Sequence, residues 1–549
     1  MVYLNLQNDY VVVSGDATNH VLKLINDVCS YEVKNVDFMY KYQSNQWDGK
    51  ISLFKKKTLS FPAGLLDKVA NSLTKNNVLF TVVEKRANPK KKNLCKVDLG
   101  EHSFRDYQQK AIETIKTKTR GILAMCTGAG KTKTSCGIIS ELSVYPVIFI
   151  VPSVQLLYQT ADEFRTSLKS DDENFLIGEL GGGKCNIEKN GINVATYQTL
   201  LTAYDKKYSE SSKKIIDIDG NIDKTSLNSL KKELKILSVD LINSPKTKHK
   251  GIETKIKKVK KKIQDKEDMI QKKKEIRDLV ENCQLLFIDE THIAAVIIEE
   301  ISLCAKKAYY KCGLTGTPQR MDNQDIRMFG ATGSVIHEVT SSDLIKRDFL
   351  VKPYIYCIDL DLFNFTCDNF QQTYTKAIVE NQHKNELIRD LAQQMHAMGR
   401  PTLIMVERIP HGKILEEMIE GCVFVPGGDG SDDKEIPEEE LNYRKYQLNR
   451  LEKNEIIMCA TSWCYTGIDA PKISCIILAC SLSSTNTITQ QIGRGLRKAP
   501  GKKDCVIFDF RHKELPLRKQ FNSRNKVYNS EEEFVVKILK YNNSKGTYV

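Results

Sequence analysis

From about residue 121 onward the chain repeats one phrase: a short apolar run, a turn, then a longer stretch with helical spacing. Runs this short and this apolar cannot keep one face in water, so they predict strands buried on both faces of a parallel sheet flanked by helices. They are Gly121–Cys126, Val147–Val151, Ile192–Thr196, Gln284–Asp289 and Tyr309–Gly313. A second series follows at Thr402–Val406, Cys422–Val425, Glu455–Ala460, Cys475–Cys480 and Asp504–Asp509. Two series in tandem predict an α/β protein with two similar parallel-sheet domains. The 549 residues leave room for further units, since a domain takes about 150 residues.

The first 95 residues break the rhythm with alternating segments such as Tyr10–Val13 and Ile51–Phe54, which predict a small separate α+β domain. Its end carries the basic stretch Lys85 to Lys92, either a solvated linker or a phosphate contact. A lysine-rich stretch between Thr199 and Asp289 breaks the rhythm again. In it, Leu227, Leu230, Leu234, Leu237 and Leu241 keep a three-four spacing, and Ile252, Ile256, Val259 and Ile263 resume it beyond Ser244-Pro245. That pattern predicts an inserted antiparallel helical hairpin, about residues 205–282. Lys257, Lys258, Lys260, Lys261 and Lys262 lie on its outer face, open to a nucleic-acid backbone or simply to water. The expected division is 1–95 for an accessory nucleic-acid-binding domain, 96–340 for the first sheet domain with its insertion, and 341–549 for the second.

The formal net charge of +13 suits a polyanionic partner. The most apolar windows, Val147 to Pro152 and Ile473 to Cys480, fall well short of the ~20 residues that cross a bilayer. With no secretory pattern at the N-terminus, the expectation is an intracellular, cytoplasmic protein, in the host cytoplasm if viral, with no membrane partner. Sixteen cysteines without any C-x-x-C pair read as reduced thiols, several inside apolar runs, and no zinc site is expected. Trp47, one of two tryptophans, reads first as a core anchor and second as a base-stacking ring; Trp463 reads as packing within its motif.

Three motifs carry chemistry. Thr127-Gly128-Ala129-Gly130-Lys131-Thr132 follows an apolar strand and opens a helix. Its glycines let backbone N–H groups face phosphate oxygens, Lys131 reaches the outer phosphates and the Thr132 hydroxyl suits magnesium. Met125 stands where the full phosphate-loop pattern would place a glycine. Asp289-Glu290-Thr291-His292 ends another strand, where Asp289 can hold magnesium through water and Glu290 can polarise the attacking water. Gln490-Gln491-Ile492-Gly493-Arg494-Gly495-Leu496-Arg497 brings Arg494 and Arg497 to one helix face, suited to the charge on a transferring phosphoryl group.

In this order the motifs resemble those of superfamily 2 helicases and translocases, over about residues 100 to 515. Phe104-Arg105-Asp106-Tyr107-Gln108 resembles the adenine-reading segment, with Gln108 as its glutamine. Val151-Pro152-Ser153 and Ala195-Thr196-Tyr197-Gln198-Thr199 resemble strand-contacting motifs, which implies nucleic-acid roles for Pro152, Ser153, Thr196 and Gln198. Thr315-Gly316-Thr317-Pro318 resembles the coupling motif, with His292, Thr315 and Thr317 as its residues. Ala460-Thr461 through Thr466-Gly467-Ile468-Asp469 resembles the motif that meets nucleic acid through Thr466 and nucleotide through Gly467 and Asp469.

In the N-terminal region, Phe38-Met39-Tyr40-Lys41-Tyr42, Asn45-Gln46-Trp47-Asp48-Gly49-Lys50 and Leu59 to Leu65 resemble the small domain of the phage UvsW-type DNA helicases, as does His411-Gly412-Lys413 after a second-domain strand. The lysine-rich insertion and Asp469 depart from that pattern. The resemblance implies two RecA-like domains with ATP and Mg2+ in the cleft. Its catalytic set would be Lys131, Asp289, Glu290, Gln490, Arg494 and Arg497; Gln108, Thr127, Gly128, Gly130 and Thr132 would hold nucleotide, and Thr132 and Asp289 the magnesium. It further implies an ATP-dependent helicase that remodels single-stranded and branched DNA in recombination, repair or replication. An RNA helicase or transcript-release factor, a restriction-system translocase and a non-hydrolysing binding factor stay open as alternatives. Nothing in the sequence sets an oligomeric state, and a monomer is compatible with every motif.

Overall fold

The computed structural model describes all residues except 35, 102, 173–174, 210–213, 218–220, 294, 318–323, 361–368, 428–437, 462–469, 482–484, 543–546 and 549. The N-terminal unit is a four-stranded sheet of β1 (Val2–Leu6), β2 (Tyr10–Gly15), β3 (Ser60–Pro62) and β4 (Phe80–Glu84), ordered β3-β2-β1-β4. Alternation buries Val2, Leu4, Leu6, Val11 and Val13 on one face, against Val21 and Ile25 of α1 (Asn19–Val28) and Val69 and Leu73 of α2 (Leu66–Lys75). Trp47 does not join this core, contrary to its first reading. It lies half-buried in a turn, where its indole N–H donates to the Lys50 carbonyl at 2.8 Å.

The first large sheet has eight strands. In chain order they are β5 (Arg120–Met125), β6 (Val147–Val151), β7 (Ile177–Gly181), β8 (Lys184–Cys185), β9 (Ile192–Thr196), β10 (Leu285–Ile288), β11 (Tyr310–Thr315) and β12 (Val335–Val339), in spatial order β8-β7-β9-β6-β10-β11-β5-β12. All neighbours are parallel except the β7–β8 hairpin. Every residue of β6, β9 and β10 is buried; β6 and β10 are unbroken apolar runs, whereas β9 also buries Asn193, whose amide donates to the Glu188 carbonyl at 2.8 Å. Around the sheet lie α3 (Asp106–Lys118), α4 (Lys131–Leu142), α5 (Val154–Ser167) and α6 (Tyr197–Ala203). The insertion forms α7 (Asn221–Asn243) and α8 (Lys246–Asn282), packed together as the two-helix hairpin its spacing predicts. The foot of α8 is set into the domain by Ile276, Leu279 and Val280, which join the core that holds Leu200, Leu201 and Ala203 of α6.

The N-terminal unit rests on α9 (Asp325–Thr332) of this domain. Arg327 Nε donates to the Tyr31 hydroxyl at 2.8 Å, Arg120 Nη2 donates to the Asn8 carbonyl at 2.9 Å, and Lys68 Nζ lies 4.2 Å from the Phe329 ring centre. Gly64 allows the approach: a Cβ there would sit 2.1 Å from the Phe329 carbonyl oxygen.

The second large sheet has seven strands: β13 (Lys352–Asp359), β14 (Thr402–Val406), β15 (Cys422–Val425), β16 (Ile457–Thr461), β17 (Cys475–Leu478), β18 (Asp504–Arg511) and β19 (Val535–Leu539), in spatial order β15-β16-β14-β17-β18-β13-β19. All are parallel. Helices α10 (Thr485–Gly495) and α11 (Leu515–Ser530) flank it. The fold is therefore a mixed α/β one, two parallel-sheet domains behind a small α+β unit. No helix among the described residues is long and apolar enough to cross a membrane.

Candidate active site

The phosphate loop links β5 to α4. Gly128 and Gly130 have φ of +87° and +80°, a region that residues with a Cβ avoid, and Gly130 is the residue preceding α4. Lys131 and Thr132 open that helix, so the loop's N–H groups and the positive helix end converge where phosphate would sit. Met125 completes the buried strand instead of the loop. Behind the loop, Gln108 is engaged at both ends: its Oε1 accepts from the Arg105 N–H at 3.0 Å, and its Nε2 donates to the Ala129 carbonyl at 3.0 Å. The Tyr107 hydroxyl donates to the same carbonyl at 3.1 Å, so the adenine-type segment and the phosphate loop form one unit.

Asp289 and Glu290 stand just past the end of β10, at the mouth of the sheet. Lys131 Nζ lies 2.7 Å from Glu290 Oε1, with both side chains mostly buried. Glu290 has φ of +48°, a backbone strain typical of functional positions, and its N–H donates to Asp289 Oδ1 at 3.0 Å. Burial pushes the Asp289 carboxyl upward against the pull of Lys131. Burial acts on Glu290 in the same sense, but the charges of Lys131, His292 and Arg494 together with the Lys131 hydrogen bond outweigh it and hold this carboxyl below its ordinary value. Lys131, also buried, is kept protonated by Glu290 and Asp289. His292 Nδ1 lies 3.4 Å from Glu290 Oε2 and 2.7 Å from the Thr315 hydroxyl. Thr315 Oγ1 accepts from the Thr317 N–H at 3.1 Å, so a continuous chain of contacts runs from Glu290 to the Thr315–Thr317 turn.

The second sheet reaches this site through α10. A Cβ on Gly493 would fall 2.6 Å from the Cβ of Thr127, which explains why a glycine stands between Gln490 and Arg494. A Cβ on Gly128 would fall 3.0 Å from Leu350 Cδ2 and 3.6 Å from Arg497 Cγ. Arg494 and Arg497 do not share a helix face as expected: α10 ends at Gly495, and Arg497 lies past it in a backbone bridge with Leu350, where the Val351 N–H donates to the Leu496 carbonyl at 2.8 Å. Arg494 acts on the Glu290 carboxyl electrostatically. Gln490 is half-buried on the same helix.

Pro152, Ser153, Thr196 and Gln198 lie elsewhere, at or just past the C-terminal ends of the neighbouring strands β6 and β9. The Ser153 hydroxyl caps α5 by accepting from the Leu156 N–H at 3.3 Å, and Thr196 caps α6 by accepting from the Thr199 N–H at 3.3 Å. Thr466, Gly467 and Asp469 lie outside the described residues, as do Trp463 and Pro318.

Sequence reasoning missed the segment joining the two large sheets. Arg105 stacks its guanidinium 4.0 Å from the Phe349 ring centre, Tyr107 meets the same ring edge-on at 6.0 Å, and Arg347 Nη1 lies 2.7 Å from Asp106 Oδ2. No motif announces these residues; only the aromatic and cationic character of Arg347 to Phe349 next to a domain boundary could have pointed to them.

Comparison with known proteins matches residues 4–82 to the family described as "DNA helicase UvsW, N-terminal" and residues 101–320 to "Type III restriction enzyme, res subunit". The two matches set a UvsW-type segment ahead of a restriction-helicase-type segment, the order that the motif resemblance to superfamily 2 implies. It is 24% identical over 277 residues to the "ATP-dependent DNA helicase uvsW" of Enterobacteria phage T4, an alignment covering 48% of this chain and 54% of that one. The T4 UvsW crystal structure aligns over 98% of this chain and 99% of that one, at 18% identity and a TM-score of 0.42. "Putative helicase 22" of Sulfolobus islandicus filamentous virus is 24% identical over 249 residues, 43% of each chain. A fragment of a putative HsdR subunit of a type I restriction enzyme from Vibrio vulnificus YJ016 shares the fold with a TM-score of 0.50 at 16% identity, over 82% of this chain and 70% of that one. The chain thus spans about half the length of these two curated relatives.

Proposed function

We propose that this superfamily 2 chain is an ATP-dependent DNA translocase that unwinds or remodels branched DNA. The observation that carries the reading is the Lys131–Glu290 pair, met from the other sheet by α10, which brings Gly493 onto Thr127, and by the bridge just past its end, which brings Arg497 to Gly128. Glu290 would orient the attacking water once Lys131 turns to the phosphates, and Arg494, which acts on Glu290, and Arg497, beside Gly128, would face the transferring phosphoryl group. The Thr132 hydroxyl and the Asp289 carboxylate are hard oxygen donors of the number Mg2+ takes from protein when phosphates complete its shell. Magnesium bound there would neutralise charge on the phosphate oxygens. Because the set spans two sheets, any change in nucleotide state changes how α10 seats on the phosphate loop, and relative movement of the sheets follows.

DNA as the polymer is supported by the net charge of +13, by the UvsW-type N-terminal unit and by the names of the relatives. Pro152, Ser153, Thr196 and Gln198 would line the strand's path over the first sheet, and Thr315 with Thr317 would pass the state of Glu290 toward α9. The test is steady-state ATP hydrolysis with single-stranded DNA, forked or four-way DNA, and RNA as separate stimulators, with Lys131→Ala as control. DNA should stimulate, branched forms most. Stimulation by RNA alone would move the substrate to RNA, and no response to any polymer would contradict the reading.

A further inference from the structure

The hairpin's charge is polarised along its length. Residues 246–262, the distal part of α8, carry nine lysines and one acid, Glu253, whereas residues 263–282 carry five basic and six acidic side chains. The foot is neutralised and tied down: Lys273 Nζ lies 2.7 Å from Asp205 Oδ1, Arg277 Nη1 lies 3.4 Å from Asp205 Oδ2, and Lys231 of α7 lies 2.7 Å from Glu267. All nine distal lysines are exposed, and none forms an ion pair among the described residues. At about 100° per residue, the seam of Ile252, Ile256, Val259 and Ile263 takes one side of α8, and the lysines occupy the rest of the circumference.

A run of like charge on one rigid rod is costly to maintain unless a polyanion meets it. Its foot packs on Leu200, Leu201 and Ala203 of α6 and pairs with Asp205 just beyond, so the arm is rooted on the short helix whose other end carries Thr196 and Gln198 of the proposed strand path. The seventeen residues from Lys246 to Lys262 span about 25 Å at about 1.5 Å each, a length along which a duplex presents a phosphate charge roughly every 1.7 Å. A straight helix matches a stiff duplex along that length better than a flexible strand.

We infer that the distal half of the α7–α8 hairpin is an arm that grips the phosphate backbone of the duplex adjoining the strand held by the motor, an inference that rests on the proposed motor reading. The arm would set affinity and orientation on branched substrates without base selectivity, since lysine contacts to phosphate carry no sequence information.

The experiment replaces Lys257, Lys258, Lys260, Lys261 and Lys262 with glutamine, a helix former without charge, and compares them with arginine at the same five positions. Binding to a blunt duplex and to a single strand of equal length is measured from low to moderate salt, alongside ATP hydrolysis stimulated by single-stranded DNA. With glutamine, duplex affinity at low salt should fall at least about tenfold and the salt slope should flatten by about 2 to 4, at about 0.9 for each phosphate no longer neutralised. Stimulated hydrolysis and single-strand binding should persist, and arginine should keep duplex binding. Unchanged duplex affinity and slope would overturn the arm and leave the lysine face to an acidic protein. Equal losses on strand and duplex would overturn the duplex assignment. Loss of duplex binding in a chain whose hydrolysis ignores all nucleic acid would keep the arm and remove the motor reading instead.

Discussion

The two large sheets share one architecture and use their buried charges oppositely. In the first, Asp289 and Glu290 stand past the end of β10 beside Lys131, partly open to the cleft, in a pair that can re-form around a substrate. In the second, Asp509 near the end of β18 is fully buried and saturated. Arg524 Nε lies 2.8 Å from its Oδ2, Arg524 Nη2 lies 3.0 Å from its Oδ1, and the Tyr528 hydroxyl donates to Oδ2 at 2.8 Å. Both partners come from α11, so the network pins that helix to the sheet. Lys384 is sealed beside it, its Nζ donating to the Ala479 carbonyl at 2.6 Å, and burial, reinforced by the Lys384 charge, holds His411 and His512 neutral. An ion pair left half open can change partners during a reaction cycle, whereas one closed on all sides only holds the fold.

Substitutions at the cleft and in the sealed network should sharpen that contrast. Arg497→Ala should slow ATP turnover by about 10^3-fold or more with nucleotide binding nearly intact, because an arginine facing the transferring group acts mainly on the transition state. Glu290→Gln should likewise bind nucleotide and fail to hydrolyse it, as single-turnover assays would register. Asp509→Ala should act on stability: stranding the buried Arg524 costs about 3–5 kcal/mol, read as a lower denaturant midpoint and faster exchange of α11 amides. Retention of normal stability by that variant would break the contrast.

Lys384 gives a pH signature. Burial lowers its ammonium to about 7 in the folded protein. Between about pH 7 and the ordinary lysine value near 10, the unfolded chain then binds more protons than the folded one, so this group makes stability rise with pH across that window. Lys384→Met should remove its share of the slope, seen by comparing urea midpoints at pH 7 and 9. The smallest effect expected is that of Ser481→Ala, which removes the hydroxyl that donates to Gln520 Oε1 at 2.7 Å and should cost about 1 kcal/mol.

The same contrast explains what could be read from the sequence. Strands buried on both faces, such as β6 and β10, are unbroken apolar runs and declare themselves. β13 alternates buried and half-buried residues through Lys352-Pro353-Tyr354-Ile355-Tyr356, and β19 is an edge strand with Lys537 inside it, so neither stands out. Lys131, Asp289, Glu290 and Arg497 stand out in the sequence because each sits in a short motif of restricted residue type and spacing, and the structure gathers them around the Gly128–Lys131 loop. Asp509 and Arg524 are fifteen residues apart, and structural pairing restricts neither spacing nor order, so nothing marks them beforehand. Phe349 and Arg347 escaped for a similar reason: their contacts with Arg105, Tyr107 and Asp106 exist only once the two sheets are brought together. The hairpin was legible through its leucine and isoleucine spacing, although the pairing of the charges at its foot needs the positions of Asp205 and Glu267.

The central claim is that catalysis is assembled from both sheets, and the most direct measurement is DNA-stimulated ATP hydrolysis by Arg497→Ala alongside its nucleotide affinity. The account predicts near-normal affinity with turnover reduced by about 10^3-fold or more. Turnover at the unsubstituted rate would contradict it.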